Sequence, residues 1–115
     1  MNADLASEYR SDLINSKKYL AETEKGRRVL SIIGDLCGNF KTAYALAHTP
    51  EQGEDIFRIL VDGKSVVGFD LQHDDGTARN VNIMPVTEYR GYLSDRDSKL
   101  LLSVALELSK QDMLA

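Results

Sequence analysis

Hydrophobic and polar residues follow two different periods along this chain of 115 residues. Over residues 1–40 the apolar side chains recur every three or four positions, as they do on one face of an α-helix. The spacing is regular in RRVLSIIGDLCGNF, whereas the stretch before it has fewer apolar residues and is interrupted at Gly26. The pattern predicts a helical region over residues 1–40, formed by two helices or by one helix with a break.

The middle of the chain, residues 42–84, changes to the alternating pattern that is typical of β-strands. Four strand-like stretches, TAYALAH, IFRILV, SVVGFDLQ and TARNVNIM, are separated by loop-like sequences, two of which contain Asp-Gly. Successive strands joined by such short turns form an antiparallel meander. We therefore predict a four-stranded antiparallel sheet in the order 1-2-3-4.

The register of this sheet is constrained by the numbering of its apolar residues. In the last three strands they are all odd-numbered: Phe57, Ile59, Val61, Val67, Phe69, Leu71, Val81 and Ile83. Because side chains alternate between the two faces of a strand, these residues share a face only if each hairpin loop has an odd number of residues. The sequence thus predicts three-residue loops at 61–63 and 74–76, each ending on a glycine that can adopt positive φ.

This register also predicts the core. Phe69 should face Val81, and Val67 should face Ile83, so that the odd-numbered face of the sheet is the buried one. An uncovered sheet would be unstable, and we therefore expect the helices to pack on this odd-numbered face.

The last apolar pattern, residues 94–112, predicts a helix with Ser94 as its N-cap. Its apolar side chains cover about two thirds of the circumference: Leu100, Leu101, Leu102, Val104, Ala105, Leu106, Leu108 and Met113. A helix this apolar needs a second partner besides the sheet, either the N-terminal helix or a second subunit.

These elements predict one α+β domain over residues 1–115. It consists of N-terminal helices, a four-stranded antiparallel meander sheet and a C-terminal helix packed on one sheet face, which we expect to be the odd-numbered face. The length of the chain is typical of a single domain with its own hydrophobic core.

Charge and composition narrow the possible functions. The formal net charge is −4, with 28% charged and 43% hydrophobic residues, as in ordinary globular proteins. Nucleic acid is an unfavourable partner for an acidic chain, and no apolar run is long enough for a membrane span or a secretory signal. With a single cysteine, Cys37, these features predict a cytoplasmic protein, and the apolar neighbours of Cys37 predict a buried structural thiol.

The stretch HDDG, residues 73–76, resembles a set of metal ligands because His73 precedes two aspartates, Asp74 and Asp75, with the distant His48 as a fourth candidate. A metal site needs three or more ligands that converge on one point, whereas consecutive residues point in different directions. Asp and Gly are also the residues that a tight turn requires. We therefore predict a turn here, and no metal or other cofactor.

Two groups of residues are candidate binding surfaces. Even-numbered polar side chains, with Arg58 on the second strand, should share the outer face of the sheet. Tyrosines and arginines, which are frequent in binding hot spots, cluster in the loop-like stretch PVTEYRGYLSDRD. The predicted binding residues are Tyr89, Arg90, Tyr92, Arg96, Asp70, Gln72, Asn80 and Asn82. The alternatives are a solvated sheet face without function and tyrosines that pack on the edge of the core.

The segment EDIFRILVDGKSVVGFDLQ resembles the strand-turn-strand signature of the PD-(D/E)xK nucleases, in which an acidic residue begins one strand and (D/E)xK lies on the next. The resemblance implies that Asp55 and Asp70 would hold a divalent cation and that Gln72 would orient the attacking water. The chain departs from the signature because Gln72 replaces the lysine and no proline precedes the first acid. It also continues into a fourth strand where the family has a helix.

Other catalytic signatures are missing from the sequence: GxSxG, GxxxxGK[ST] and GxGxxG do not occur. We therefore predict a small acidic cytoplasmic protein-binding module of inhibitor, immunity or chaperone type, without catalysis, whose partner is another protein or a second copy in a homodimer. Two alternatives stay open. One is a metal-dependent, nuclease-like enzyme that uses Asp55, Asp70 and Gln72, and the other binds a small polar ligand on the open sheet face.

Overall fold

A computed structural model describes residues 2–115, which form four helices and one four-stranded antiparallel sheet in the order β1-β2-β3-β4. The elements are α1 (Asn2–Glu22), α2 (Glu24–Cys37), β1 (Ala43–Glu51), β2 (Glu54–Val61), β3 (Ser65–Gln72), β4 (Ala78–Pro85), α3 (Val86–Tyr92) and α4 (Arg96–Leu114). The predicted α+β meander is confirmed. The short helix α3 was not predicted and replaces part of the expected loop. Within the described residues, no helix is both long and apolar enough to cross a membrane.

The N-terminal helical region is two helices, and Thr23 separates them. Its side chain accepts a hydrogen bond from the Gly26 N–H at 2.9 Å and donates one to the Tyr19 carbonyl at 2.8 Å. Gly26 is buried, and a Cβ at this position would lie 2.2 Å from the Tyr19 carbonyl oxygen. The close turn between α1 and α2 therefore requires glycine at this position.

The odd-numbered face of β2 and β3 is buried under α2 and the end of α1, as predicted. The core on this side contains Leu20, Val29, Ile32, Ile33, Ala43, Phe57, Ile59, Val61, Val67, Phe69 and Leu71. On β4, however, Val81 and Ile83 are 42% and 47% exposed, so their predicted place in the core is wrong. The side chains of α2 meet those of β1 to β3 and leave the edge strand β4 largely open.

The loop between β2 and β3 has three residues, 62–64, because Val61 pairs with Ser65. The predicted length is confirmed, but the loop begins one residue later than expected. Asp62 and Gly63 both have positive φ, 54° and 66°. The odd number of loop residues keeps the odd-numbered side chains of the two strands on one face.

The loop between β3 and β4 has four residues, 73–76, one more than predicted. It is closed by a hydrogen bond from the Gln72 N–H to the Thr77 carbonyl at 2.9 Å. Beyond this loop Asp70 pairs with Arg79, a register in which odd residues of one strand face even residues of the other. The predicted three-residue loop is therefore wrong.

A β-bulge at Asn80, which has a φ of 54°, restores the expected register. On its far side Gly68 pairs with Asn82, and Val67 pairs with Ile83 as predicted. The extra residue of a bulge compensates for the additional loop residue. The predicted pair between Phe69 and Val81 coincides with the bulge and is not part of the ladder.

Helix α4 packs on the even-numbered face, not on the odd-numbered face that we expected. Leu102, Ala105 and Leu108 are buried there in a second core with side chains of β1, β2 and β3: Tyr44, Leu60 and Val66. Leu13 of α1 belongs to the same core, so the second partner of this apolar helix is α1. Because α2 already covers the odd-numbered face of the sheet, α4 covers one end of the even-numbered face.

Both ends of α4 are held by aspartates. At its start the N-cap is Asp95, whose carboxylate accepts a hydrogen bond from the Ser98 N–H at 2.8 Å, so the predicted cap Ser94 is wrong by one residue. Near its end Asp112 accepts hydrogen bonds from Lys17 at 2.8 Å, from Thr42 at 2.7 Å and from the Tyr44 hydroxyl. These bonds join α1, β1 and α4 at one point.

Cys37 ends α2 and is exposed, so the predicted buried thiol is wrong. Gly38, with a φ of 75°, turns the chain away immediately after it. Partial burial and the nearby carboxylate of Asp62 raise the pKa of the thiol, which favours its uncharged and less reactive form.

Candidate functional site

An open groove lies on the half of the even-numbered face that α4 does not cover. Its volume is about 590 Å³. It is lined by Ile56, Phe57, Arg58, Val66, Gly68, Phe69, Asp70, Asn80, Asn82, Met84, Tyr89 and Tyr92. The three strands β2, β3 and β4 form the floor, and α3 forms one wall.

Gly68 lies in the middle of this floor, between Arg58 on β2 and Asn82 on β4. A Cβ at position 68 would lie 3.8 Å from the Phe57 carbonyl oxygen and 3.9 Å from Cγ of Arg58, which are ordinary contact distances. The backbone therefore does not require glycine here. Gly68 instead leaves the floor of the groove without a side chain, and glycine in a strand often marks a place where another molecule approaches the backbone closely.

The carboxylate of Asp70 points into the groove and is oriented by Asn80. The Nδ2 group of Asn80 donates a hydrogen bond to Oδ2 of Asp70 at 2.6 Å. Asn80 is the bulge residue with positive φ, a conformation that asparagine tolerates better than most residues. The bulge thus directs this amide towards Asp70.

Asp70 and Arg58 are charged groups without an ionic partner. Among the residues that the structure describes, no opposite charge lies within 4.0 Å of either side chain. The groove therefore presents one carboxylate and one guanidinium that do not neutralise each other and remain open to a ligand.

Tyr89 and Tyr92 line the wall of the groove, one turn apart on the same side of α3. Tyr89 is half-buried against the second core, and Tyr92 is 71% exposed. A tyrosine ring that remains this exposed offers apolar surface and a hydroxyl group to a partner.

Five of the eight predicted binding residues line the groove, namely Asp70, Asn80, Asn82, Tyr89 and Tyr92. The other three, Gln72, Arg90 and Arg96, do not. Gln72 instead donates a hydrogen bond to Glu54 at 3.0 Å, outside the groove. Gly68 and Met84 also line the groove and were not predicted, although a single glycine inside a strand pattern indicates a bulge or a close approach of another backbone.

A second polar cluster surrounds Asp55 near the start of β2, on the odd-numbered side of the sheet and thus on the face opposite the groove. The residue is 1% exposed. The Nε2 atoms of His48 and His73 lie 3.7 Å and 3.4 Å from its two carboxylate oxygens, and the Lys25 ammonium contacts Oδ2. Oδ2 accepts no hydrogen bond of regular angular geometry, so the contact with Lys25 is an ion pair.

These contacts determine the charge of Asp55. Burial raises the pKa of its carboxyl, but the close contacts with Lys25 and His73 and the charges of Lys25 and His48 outweigh burial, and the pKa lies below its ordinary value. The contact with Asp55 in turn raises the pKa of Lys25. The carboxylate is thus ionised and surrounded by basic groups.

The nuclease-like arrangement of Asp55, Asp70 and Gln72 is not assembled in this fold. Asp55 pairs with Leu71, the neighbour of Asp70 along β3, and the two carboxylates point to opposite faces of the sheet. They cannot bind one cation together. Within residues 2–115, no group of three histidine, cysteine or acidic side chains is arranged to hold a metal ion.

Comparison with known proteins adds no relative: no family model, no curated protein and no solved structure matches this chain. The functional proposal therefore depends on the geometry of the groove.

Proposed function

We propose that this protein is a non-catalytic binding module that holds a segment of a protein partner in the even-face groove. The observation that carries the proposal is the lining of the groove, where Asp70 and Arg58 lie unpaired beside the exposed ring of Tyr92. A carboxylate and a guanidinium without internal partners can each bind an opposite charge of a partner, and tyrosine and arginine are frequent at the energetic centre of protein interfaces.

The open shape of the groove favours a protein segment over a small molecule. Small-molecule sites bury about 70–90% of their ligand, which an open sheet face with a single helical wall achieves poorly. A partner chain, by contrast, covers the groove with its own surface. The net charge of −4 further favours a basic partner, as expected for an inhibitor, an immunity protein or a chaperone.

A small polar ligand is the second candidate occupant. The volume of about 590 Å³ falls within the range of ligand clefts, and the amides of Asn80 and Asn82 offer both hydrogen-bond donors and acceptors. A melting-temperature screen with polar metabolites tests this candidate. Stabilisation that is present in the native protein and absent in a groove-filled variant would favour it over the protein partner.

Gly68→Val tests the proposal because it fills the floor of the groove, where a Cβ meets only ordinary contacts. The matched control is Gly34→Val on α2, where a Cβ would have no neighbour within 4 Å. A random peptide library displayed on phage is selected on the native protein, and the enriched peptides are measured on both variants. We expect them to bind Gly34→Val normally and Gly68→Val weakly.

The same phage selection can also contradict the proposed function. If no peptide is enriched, or if the enriched peptides bind Gly68→Val as well as the native protein, the groove does not hold a protein segment. Circular dichroism and the urea midpoint of each variant show that a loss of binding does not come from a loss of the fold.

The predicted homodimer stays a prediction beside this proposal. The apolar surface of α4 that suggested a second subunit is covered by α1 of the same chain. Light scattering on the purified protein tests whether two copies associate, and a dimer that dissociates in Gly68→Val would make a second copy the occupant of the groove.

A further inference from the structure

We infer that the even-face groove fits an extended partner segment in which a basic and an acidic side chain are two residues apart. This inference rests on the proposed function and specifies the chemistry of the partner. It follows from the positions of Asp70 and Arg58 in the sheet, from the groups that surround each of them and from the tyrosine wall.

Asp70 provides the position for the basic side chain. Its Oδ2 accepts the hydrogen bond from Asn80, whereas among the described side chains none donates to Oδ1. The carboxylate is thus held in one orientation with one oxygen available, and it is only partly exposed. A fixed and partly desolvated carboxylate binds a guanidinium or ammonium group more strongly than a mobile surface carboxylate does.

The tyrosine wall favours the same kind of side chain. Tyr89 and Tyr92 line the groove together with Asp70. Aromatic rings attract cations that lie over their faces, and arginine also stacks on them. A basic side chain in this groove therefore has both a carboxylate and aromatic surface within the same space.

Arg58 provides the position for the acidic side chain. Its aliphatic stem lies beside the empty position above Gly68, where Cγ is 3.9 Å from the site of a Cβ. Its guanidinium has no ionic partner among residues 2–115 and carries donors suited to a carboxylate. A second basic group on the partner would be repelled here, so a uniformly basic segment fits less well than one of mixed charge.

The sheet register gives the spacing. Arg58 pairs with Gly68, and Asp70 lies two residues further along β3. At a rise of about 3.4 Å per residue, the two charges are offset by about 7 Å along the strands, and the length of the arginine side chain spans the remaining strand spacing of about 4.8 Å. Alternate residues of an extended partner chain are also about 7 Å apart and lie on one face.

Synthetic peptides test this spacing. They are built on the strongest peptide from the phage selection, with the charges arranged as Arg-Ser-Glu, as Glu-Ser-Arg or as the adjacent pair Ser-Arg-Glu. All three have the same composition, but adjacent residues of an extended chain point to opposite faces. We expect one of the alternating peptides to bind at least about fivefold more tightly than the adjacent one, a ratio that a modest difference in free energy produces.

A charge exchange tests the assignment of Asp70. Asp70→Asn should weaken the better alternating peptide about tenfold, as expected for the loss of one charge-assisted contact. Asp70→Lys should weaken it further, and a peptide whose arginine is replaced by glutamate should recover binding to Asp70→Lys. Arg58→Gln should weaken the same peptide, and Asp74→Asn in the exposed β3–β4 loop is the control that should leave its affinity unchanged.

The outcomes separate this inference from the proposed function. Peptides that lose affinity on Gly68→Val but bind Asp70→Asn and Arg58→Gln normally would overturn the mixed-charge partner and leave the binding groove in place. Equal affinity of the alternating and adjacent peptides would overturn the spacing. If every peptide binds Gly68→Val as tightly as the native protein, both the proposed function and the proposed chemistry of the partner are wrong.

Discussion

Two carboxylates on neighbouring strands, Asp55 on β2 and Asp70 on β3, lie in opposite environments. Asp55 points to the odd-numbered side and meets basic groups from three separate parts of the chain: Lys25, His48 and His73. Asp70 points to the even-numbered side and meets a single neutral amide, that of Asn80. The first charge is neutralised within the fold, whereas the second keeps its capacity to bind a partner.

The two faces of the sheet differ in the same way. The odd-numbered face carries a continuous apolar core under α2 on β1 to β3. The even-numbered face is apolar only at the end beneath α4, and its other half opens into the groove above Gly68. Buried cores thus occupy the odd-numbered face and one end of the even-numbered face, which leaves half of the even-numbered face available for recognition.

Replacing Asp55 by asparagine should lower the free energy of unfolding by about 2 kcal/mol, because the substitution removes the buried carboxylate that pairs with the surrounding basic groups. The loss should stay below that of a fully buried ion pair, since the Lys25 side chain is 42% exposed and can be hydrated. Urea unfolding followed by circular dichroism measures the change. A loss no greater than that of the control Asp74→Asn would contradict the structural role of Asp55.

The carboxylate of Asp55 should also make the stability of the fold depend on pH in acid. Because the pKa of Asp55 in the folded protein lies below its ordinary value of 3.8, its stabilising contribution is fully present above that value and is lost as the pH falls through the lower folded pKa. The native protein should therefore lose stability in acid below about pH 4, and Asp55→Asn should lose less over the same range. Urea midpoints of both proteins, measured across this pH range, test the direction of this change in stability. The account is wrong if both proteins show the same acid dependence.

Asp112 resembles Asp55 in this respect, because its carboxylate is also bound by groups within the fold. Burial, together with the hydrogen bond to Asp112, raises the pKa of Tyr44 to about 12. A raised pKa means that the neutral phenol stabilises the fold fully below pH 10, the ordinary value, and that this contribution is lost as the pH rises to about 12. Tyr44→Phe should cost about 1 kcal/mol at neutral pH and remove this alkaline loss. An ultraviolet titration in which every tyrosine ionises near pH 10 would contradict it.

Asp70→Asn should change stability least, by no more than about 0.5 kcal/mol, because no basic group in the fold depends on this carboxylate. An asparagine at this position still offers an oxygen to the amide of Asn80. Urea unfolding of Asp70→Asn beside Asp55→Asn measures the contrast between the two sites. Equal losses would remove the distinction on which the binding proposal is founded.

The sequence predicted the meander because strand and helix periods differ and because the parity of the apolar residues restricts the register. The same parity placed Asp70, Asn80 and Asn82 on one face. The bulge at Asn80 was not predictable, since an asparagine with positive φ leaves no mark on the hydrophobic pattern. The predicted pairing of β3 with β4 holds beyond the bulge only because the bulge and the longer loop compensate for each other.

Other features depended on the tertiary structure. Helix α4 is apolar around most of its circumference, so its pattern could not indicate which sheet face it would cover. The seven-residue helix α3 is too short to produce a periodic signal of its own. The cluster around Asp55 combines residues from α2, two strands and a loop, and no local motif connects Lys25 with His73.

Amide chemical shifts recorded by NMR with and without the selected peptide test the central claim most directly. The account predicts that the largest shifts occur on the floor and wall of the groove, at Gly68, Asp70, Asn82 and Tyr89, and that the amides of Lys25 and His73 beside Asp55 change little. Shifts that are largest around Asp55, or that are spread evenly over both faces of the sheet, would contradict it.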